Sequence, residues 1–164
     1  MCSSDLPGSN SFNSGGQGGA GYGGRGGRGN TILGGAIYGS ETAPIDLGSG
    51  GGKDCNSATS GGGALRLYVD GTLTVNGELS ANGGTLGGLC YSGGASGGSL
   101  WIRAGTLEGS GLLSANGGQS NGFTAGGGGG GRVAIYTCDN DMPLANIQAL
   151  GGAGYVAGSP GTIF

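Results

Sequence analysis

The sequence predicts an all-β chain, a right-handed parallel β-helix (β-solenoid) of few coils carrying long Gly-rich loops. Three observations support that expectation. A segment recurs at a period of some tens of residues, apolar positions alternate two by two within each copy, and 48 of the 164 residues are glycine. Glycine at that density disfavours helix, at about 1 kcal/mol per interior position, and no 3.6-residue apolar stripe compensates.

The repeat comes first. Gly61-Gly62-Gly63-Ala64-Leu65-Arg66-Leu67-Tyr68-Val69 aligns with Gly97-Gly98-Ser99-Leu100-Trp101-Ile102-Arg103-Ala104 and with Gly130-Gly131-Arg132-Val133-Ala134-Ile135-Tyr136-Thr137, and a further copy opens at Ile163. A second match follows each: Leu79-Ser80-Ala81-Asn82-Gly83-Gly84, then Leu113-Ser114-Ala115-Asn116-Gly117-Gly118, then Ile147-Gln148-Ala149-Leu150-Gly151-Gly152. Leu79, Leu113 and Ile147 fall 34 residues apart each time. Between the two matches lie Thr72-Leu73-Thr74-Val75 and Thr106-Leu107, so each repeat reads as three short strands.

Alternation assigns the faces. Leu65, Leu67 and Val69 point inward, as do Leu100, Ile102 and Ala104, and then Val133, Ile135 and Thr137. Leu73 with Leu107, and Leu79 with Leu113 and Ile147, extend the inner wall. Asn-Gly pairs beginning at 76, 82, 116 and 121 supply corners, because both residues tolerate positive φ. Asn82 above Asn116 reads as a side-chain ladder.

The chain divides accordingly. Residues 1–6 read as the translated tail of a sequencing adapter, an assembly artefact in a metagenomic fragment. Residues 7–60 form a Gly-rich segment that lacks a full coil, a partial coil with its partner missing. Residues 61–164 hold the repeats, at about 61–92, 93–125 and 126–157, with a further coil starting at 158–164. Runs such as Gly126 to Gly131 admit two states, flexible loops or polyproline-II-like strands packed side by side, and flexible or loosely packed loops are the expectation.

Composition excludes several classes. Six basic residues without a cluster, a net charge of -3 and 9% charged residues leave no nucleic-acid footprint. No apolar run has the length of a membrane span. Collagen is excluded by four prolines and the lack of a Gly-X-Y register. With no histidine, neither a serine nor a cysteine triad can be assembled, and with no Cys-x-x-Cys no metal is expected; no cofactor is expected either. Gly19-Ala20-Gly21-Tyr22-Gly23-Gly24 matches the dinucleotide fingerprint only as any Gly-rich chain does.

The Gly-rich tract ending in Arg132-Val133-Ala134-Ile135-Tyr136, the Ser-Ala-Asn-Gly-Gly boxes and Leu47-Gly48-Ser49-Gly50-Gly51-Gly52 resemble the glycine-rich repeat regions of very large secreted bacterial surface or adhesin-type proteins. The resemblance covers nearly the whole chain after Leu6. It implies a β-helical stalk at the cell surface or outside the cell, stacked on the rest of a longer parent chain, and no established activity. A likeness to glycine-rich tips of phage tail-fibre adhesins is compositional only.

Two candidate sites follow from the residues. Cys55 and Cys90 each stand ten residues before Leu65 and Leu100, which makes them a candidate rung-to-rung disulfide. Arg66, Tyr68, Trp101, Arg103 and Tyr136 share the outward slots of the first strand, a candidate stripe for a glycan or a neighbouring surface protein. The plain alternative is a sheet face covered by β-favouring residues. Asp139 and Asp141 read as a solvated turn, not the paired acids of a polysaccharide-degrading β-helix. The expectation is therefore a non-catalytic extracellular structural or adhesive repeat segment, with carbohydrate binding or degradation, or a tail-fibre-like adhesin, as alternatives.

Overall fold

In the computed structural model, the structure describes residues 16–54, 58–85, 90–120 and 123–164. Among these residues eight strands follow in chain order: β1 (Ala64–Thr74), β2 (Glu78–Ser80), β3 (Ser99–Glu108), β4 (Leu112–Ser114), β5 (Arg132–Tyr136), β6 (Asp139–Asn140), β7 (Ile147–Gln148) and β8 (Thr162–Ile163). All pairings are parallel. β1, β3, β5 and β8 lie side by side in one sheet, with β6 continuing against the far end of β3, and β2, β4 and β7 form the other.

The register joins the residues that the repeat aligns. Leu65 pairs with Leu100, Leu100 with Val133 and Val133 with Ile163, while Leu79 pairs with Leu113 and Leu113 with Ile147. Leu100, Ile102, Leu107, Leu113 and Val133 lose all solvent contact in a single apolar cluster completed by Val75, Met142 and Ile147. Side chains reinforce the second ladder. Asn82 Oδ1 accepts from Asn116 N at 2.6 Å, and Asn116 Oδ1 accepts from Leu150 N at 2.7 Å.

The expected right-handed β-helix needs correction. The strands form a small α/β-type domain of two parallel sheets with almost no helix, a single 3-10 turn at Leu144–Asn146 among the described residues. Among the described residues the strands build two walls and no third, because the first and middle segments of a repeat run on as one strand. β1 continues through Thr72 and Leu73 and β3 through Thr106 and Leu107, and the expected corner is a bulge, two residues (Asp70 and Gly71) opposite one (Gly105).

The Gly-rich stretches are also not loops. Residues 126–131 are all buried, and their six N–H groups leave in three directions with a period of three. Gly126 and Gly129 donate to Gln17 O and Ala20 O, Gly127 and Gly130 to Val156 O and Ser159 O, and Gly128 and Gly131 to Gly118 O and Ala115 O, all between 2.6 and 3.0 Å. Their carbonyls accept from further segments: Gly126 and Gly129 from Gly94 and Gly97, and Gly127 and Gly130 from Gly27 and Gly24. Three residues per turn is the period of polyproline II, a helix without internal hydrogen bonds, so its backbone groups are free to bond neighbouring strands. Neighbours must come very close for this. A Cβ on Gly128 would stand 1.8 Å from Ala95 O, so only glycine fits there.

Residues 16–54 are part of the same packing. Arg132, 2% exposed, clamps them: Nε and Nη2 donate to Tyr38 O at 3.1 and 2.8 Å, and Nη1 donates to Thr162 Oγ1 at 3.0 Å. Tyr22 and Tyr38 stack at 4.8 Å beside it, and the Tyr22 hydroxyl meets Ser99 Oγ at 2.6 Å.

Candidate functional site

Parallel pairing sets equivalent outward residues of β1, β3 and β5 side by side. Arg66 faces Trp101, which faces Ala134; two residues on, Tyr68 faces Arg103, which faces Tyr136. The five residues Arg66, Tyr68, Trp101, Arg103 and Tyr136 therefore share one face. At the start of the strands this face is covered by Tyr22, Tyr38 and the buried Arg132 side chain. Beyond Ala134, which is fully buried, the cover ends and a groove opens.

The groove has a volume of about 600 Å³ and is walled by Tyr68, Trp101, Arg103, Ile135, Tyr136 and Cys138. A neighbouring depression of about 440 Å³, sharing Tyr68, Arg103 and Cys138, brings in Asp70. The aromatic rings are fixed in place by their surroundings. The Arg66 guanidinium lies 3.9 Å from the Trp101 ring centre and 4.7 Å from that of Tyr68, and it donates to the Tyr68 hydroxyl. The Tyr68 and Trp101 rings sit 6.3 Å apart at 52°. Across the groove, Tyr136 packs on Phe164 at 5.5 Å, and its hydroxyl donates to Thr42 O at 2.8 Å. Tyr68 remains 51% exposed and Tyr136 38%, so each offers ring surface to solvent while the rest is held.

This arrangement can bind by stacking and by ionic hydrogen bonds. Arg103 is exposed, with its donors available to an acceptor, while the aromatic faces provide apolar surface at fixed angles. Sequence reasoning missed Asp70, Ile135 and Cys138 as lining residues. The bulge at Asp70–Gly71 brings the first into place, and no periodic signal in one sequence announces a bulge. Cys138 was recognisable only as the cysteine two residues beyond Tyr136.

Of the other sequence-derived candidates, Cys90, Asp139 and Asp141 are not among the residues that line the groove. The pairing of Cys55 with Cys90 involves Cys55, outside the described residues; Cys90 is partly buried and bridged to no described residue. Asp139 and Asp141 are exposed, with Asp139 in the short β6. Among the described residues no three His, Cys, Asp or Glu side chains gather as a metal site, and no helix is long and apolar enough to cross a membrane. Comparison with models of protein families, with curated proteins and with solved structures finds no match.

Proposed function

We propose that this chain is a non-catalytic, extracellular adhesive segment that holds carbohydrate against the groove of Tyr68, Trp101, Arg103 and Tyr136. The observation that carries the reading is the fixed aromatic floor: three rings and two guanidinium groups on one sheet face, locked by Arg66 and by the Tyr136 bond to Thr42. Sugar rings present axial C–H faces that stack on aromatic surfaces and hydroxyls that accept from arginine, so a groove of this kind matches them without chemistry. Paired-acid glycoside hydrolysis needs two carboxyl groups flanking the bond, and among the described residues Asp70 is the one acid lining either depression. The resemblance to secreted surface repeats supports the extracellular setting.

Pull-down on a panel of insoluble and soluble polysaccharides tests this directly. The wild-type chain is expected to be retained, and Trp101→Ala to lose about tenfold in affinity, the size of one aromatic stacking contact together with its share of cation–π attraction. Retention by no polysaccharide, or retention unchanged in Trp101→Ala and Tyr136→Ala alike, removes the proposal.

A further inference from the structure

The five-stranded sheet has an edge at β1, with no further strand paired on its outer side among the described residues. β1 pairs with β3 alone. Because Ser99 N donates to Gly63 O, strand alternation directs the backbone groups of Ala64, Arg66 and Tyr68 away from β3, to the outer side. The apolar column ends open there as well. Leu100 is 0% exposed in its interior rung, whereas Leu65, its neighbour on β1, is 38% exposed, and Leu67 and Val69 are partly exposed.

We infer that this edge is an interface between two copies of the chain, β1 against β1 in antiparallel pairing about a twofold axis at Tyr68. The sequence of the strand carries the register. Reading Leu65-Arg66-Leu67-Tyr68-Val69-Asp70 against itself with Tyr68 opposite Tyr68 sets Arg66 opposite the second copy's Asp70, twice by symmetry, and Leu67 opposite the second copy's Val69. Arg66, Tyr68 and Asp70 are all exposed. Residues 66, 68 and 70 share the parity of the outward-facing backbone, so the same register that matches charges also aligns donors with acceptors. Charges on an edge strand ordinarily repel a stray partner. Here they discriminate: a shift of two residues separates Arg66 from Asp70, so the edge accepts its own copy in one register. The pairing rests on the fold alone; it also sets two grooves side by side across the axis, which raises avidity for a polymeric ligand without new contacts.

Light scattering coupled to gel filtration, on the full chain with a reductant present to prevent Cys138 cross-links, tests the inference. Twice the mass of one chain is expected, with dissociation on dilution. Arg66→Asp and Asp70→Arg each place like charges opposite one another, so each is expected to raise the dimer dissociation constant by about tenfold. The double swap is expected to return it to within about threefold of wild type, and circular dichroism of each single variant is expected to match wild type. Single-chain mass at every concentration overturns the inference, as does growth beyond the dimer, which marks head-to-tail stacking on another edge. Failure of the swap to rescue overturns the register. None of these outcomes depends on carbohydrate, so the groove proposal stands or falls separately.

Discussion

Strand β3 and the run 126–131 are both buried, hydrogen-bonded backbone, and they solve the same problem in opposite ways. β3 bonds to β1 on one side and to β5 and β6 on the other, and sends alternate side chains to the core and to the groove, with Leu100, Ile102 and Leu107 fully buried and Arg103 exposed. The run 126–131 turns through a third of a circle at each residue and bonds to segments all around it. In the first, side chains provide the cohesion and backbone bonds set the register. In the second, the backbone is itself the packing surface, and cohesion comes from the absence of anything on Cα.

Substituting alanine in each setting breaks this comparison most severely. A Cβ on Gly128 meets Ala95 O at 1.8 Å and Ala95 C at 2.5 Å, backbone atoms held by their own bonds, so Gly128→Ala is expected to cost about 3 kcal/mol or more. At Gly63, just before β1, nothing lies within 4 Å of the added carbon. Gly63→Ala is expected to be neutral or to stabilise by up to about 1 kcal/mol, through a less free unfolded chain. Urea denaturation of the two variants checks both. Equal effects at the two positions would mean that the glycine layer is not close-packed.

The same contrast explains what could be read in the sequence. Period-two alternation exposes a column such as Leu65, Leu100 and Val133 because burial on one face leaves a chemical trace at every second residue. The Asn82 and Asn116 ladder was legible for a similar reason, since identical side chains recur at one spacing. The glycine layer leaves no such trace. Six consecutive identical residues carry no phase, and a mobile loop and a close-packed helix of three residues per turn are written with the same letters. The missing third wall was illegible on other grounds: Thr72-Leu73 and Thr106-Leu107 alternate as well as any strand, and whether they follow a corner or continue β1 and β3 depends on a bulge at Asp70–Gly71. Of the candidate site, the five outward residues could be placed by register alone, whereas the cover that ends the groove, from Tyr22 and Tyr38, is set by long-range contacts.

Arg132 is where the two kinds of packing are joined, and its removal sharpens the comparison. It follows directly on the glycine run, opens β5, and reaches over Tyr22 to Tyr38 O. Arg132→Met keeps much of the buried stem but leaves the Tyr38 carbonyl without its charged donor, an expected loss of about 2 kcal/mol. Glu41, 3.5 Å from the guanidinium, is 63% exposed, and Glu41→Gln is expected to change stability by less than about 0.5 kcal/mol. Hydrogen exchange locates the damage: in Arg132→Met, amides near Tyr38 and Thr42 are expected to lose protection while those of β3 keep it. Uniform loss across β3 would instead make Arg132 part of the sheet core.

The smallest expected effect is on the pH axis and belongs to the same junction. Burial raises the pKa of both Tyr22 and Tyr38 above the ordinary tyrosine value; at Tyr22 the negative charge of Asp46 adds to this, while the hydrogen bond to Ser99 and the charge of Arg132 oppose it. A phenol that holds its proton more tightly in the folded than in the unfolded chain stabilises fully below the unfolded value of about 10, and loses that contribution as pH rises through the folded value. The midpoint of urea denaturation is therefore expected to hold steady up to about pH 10 and to fall above it. Tyr22→Phe, which cannot ionise, should start from a lower midpoint through loss of the Ser99 bond and then decline less steeply. A decline as steep in Tyr22→Phe as in wild type would place the alkaline sensitivity outside the Tyr22 phenol and leave its hydroxyl a purely structural link between the glycine layer and the sheet.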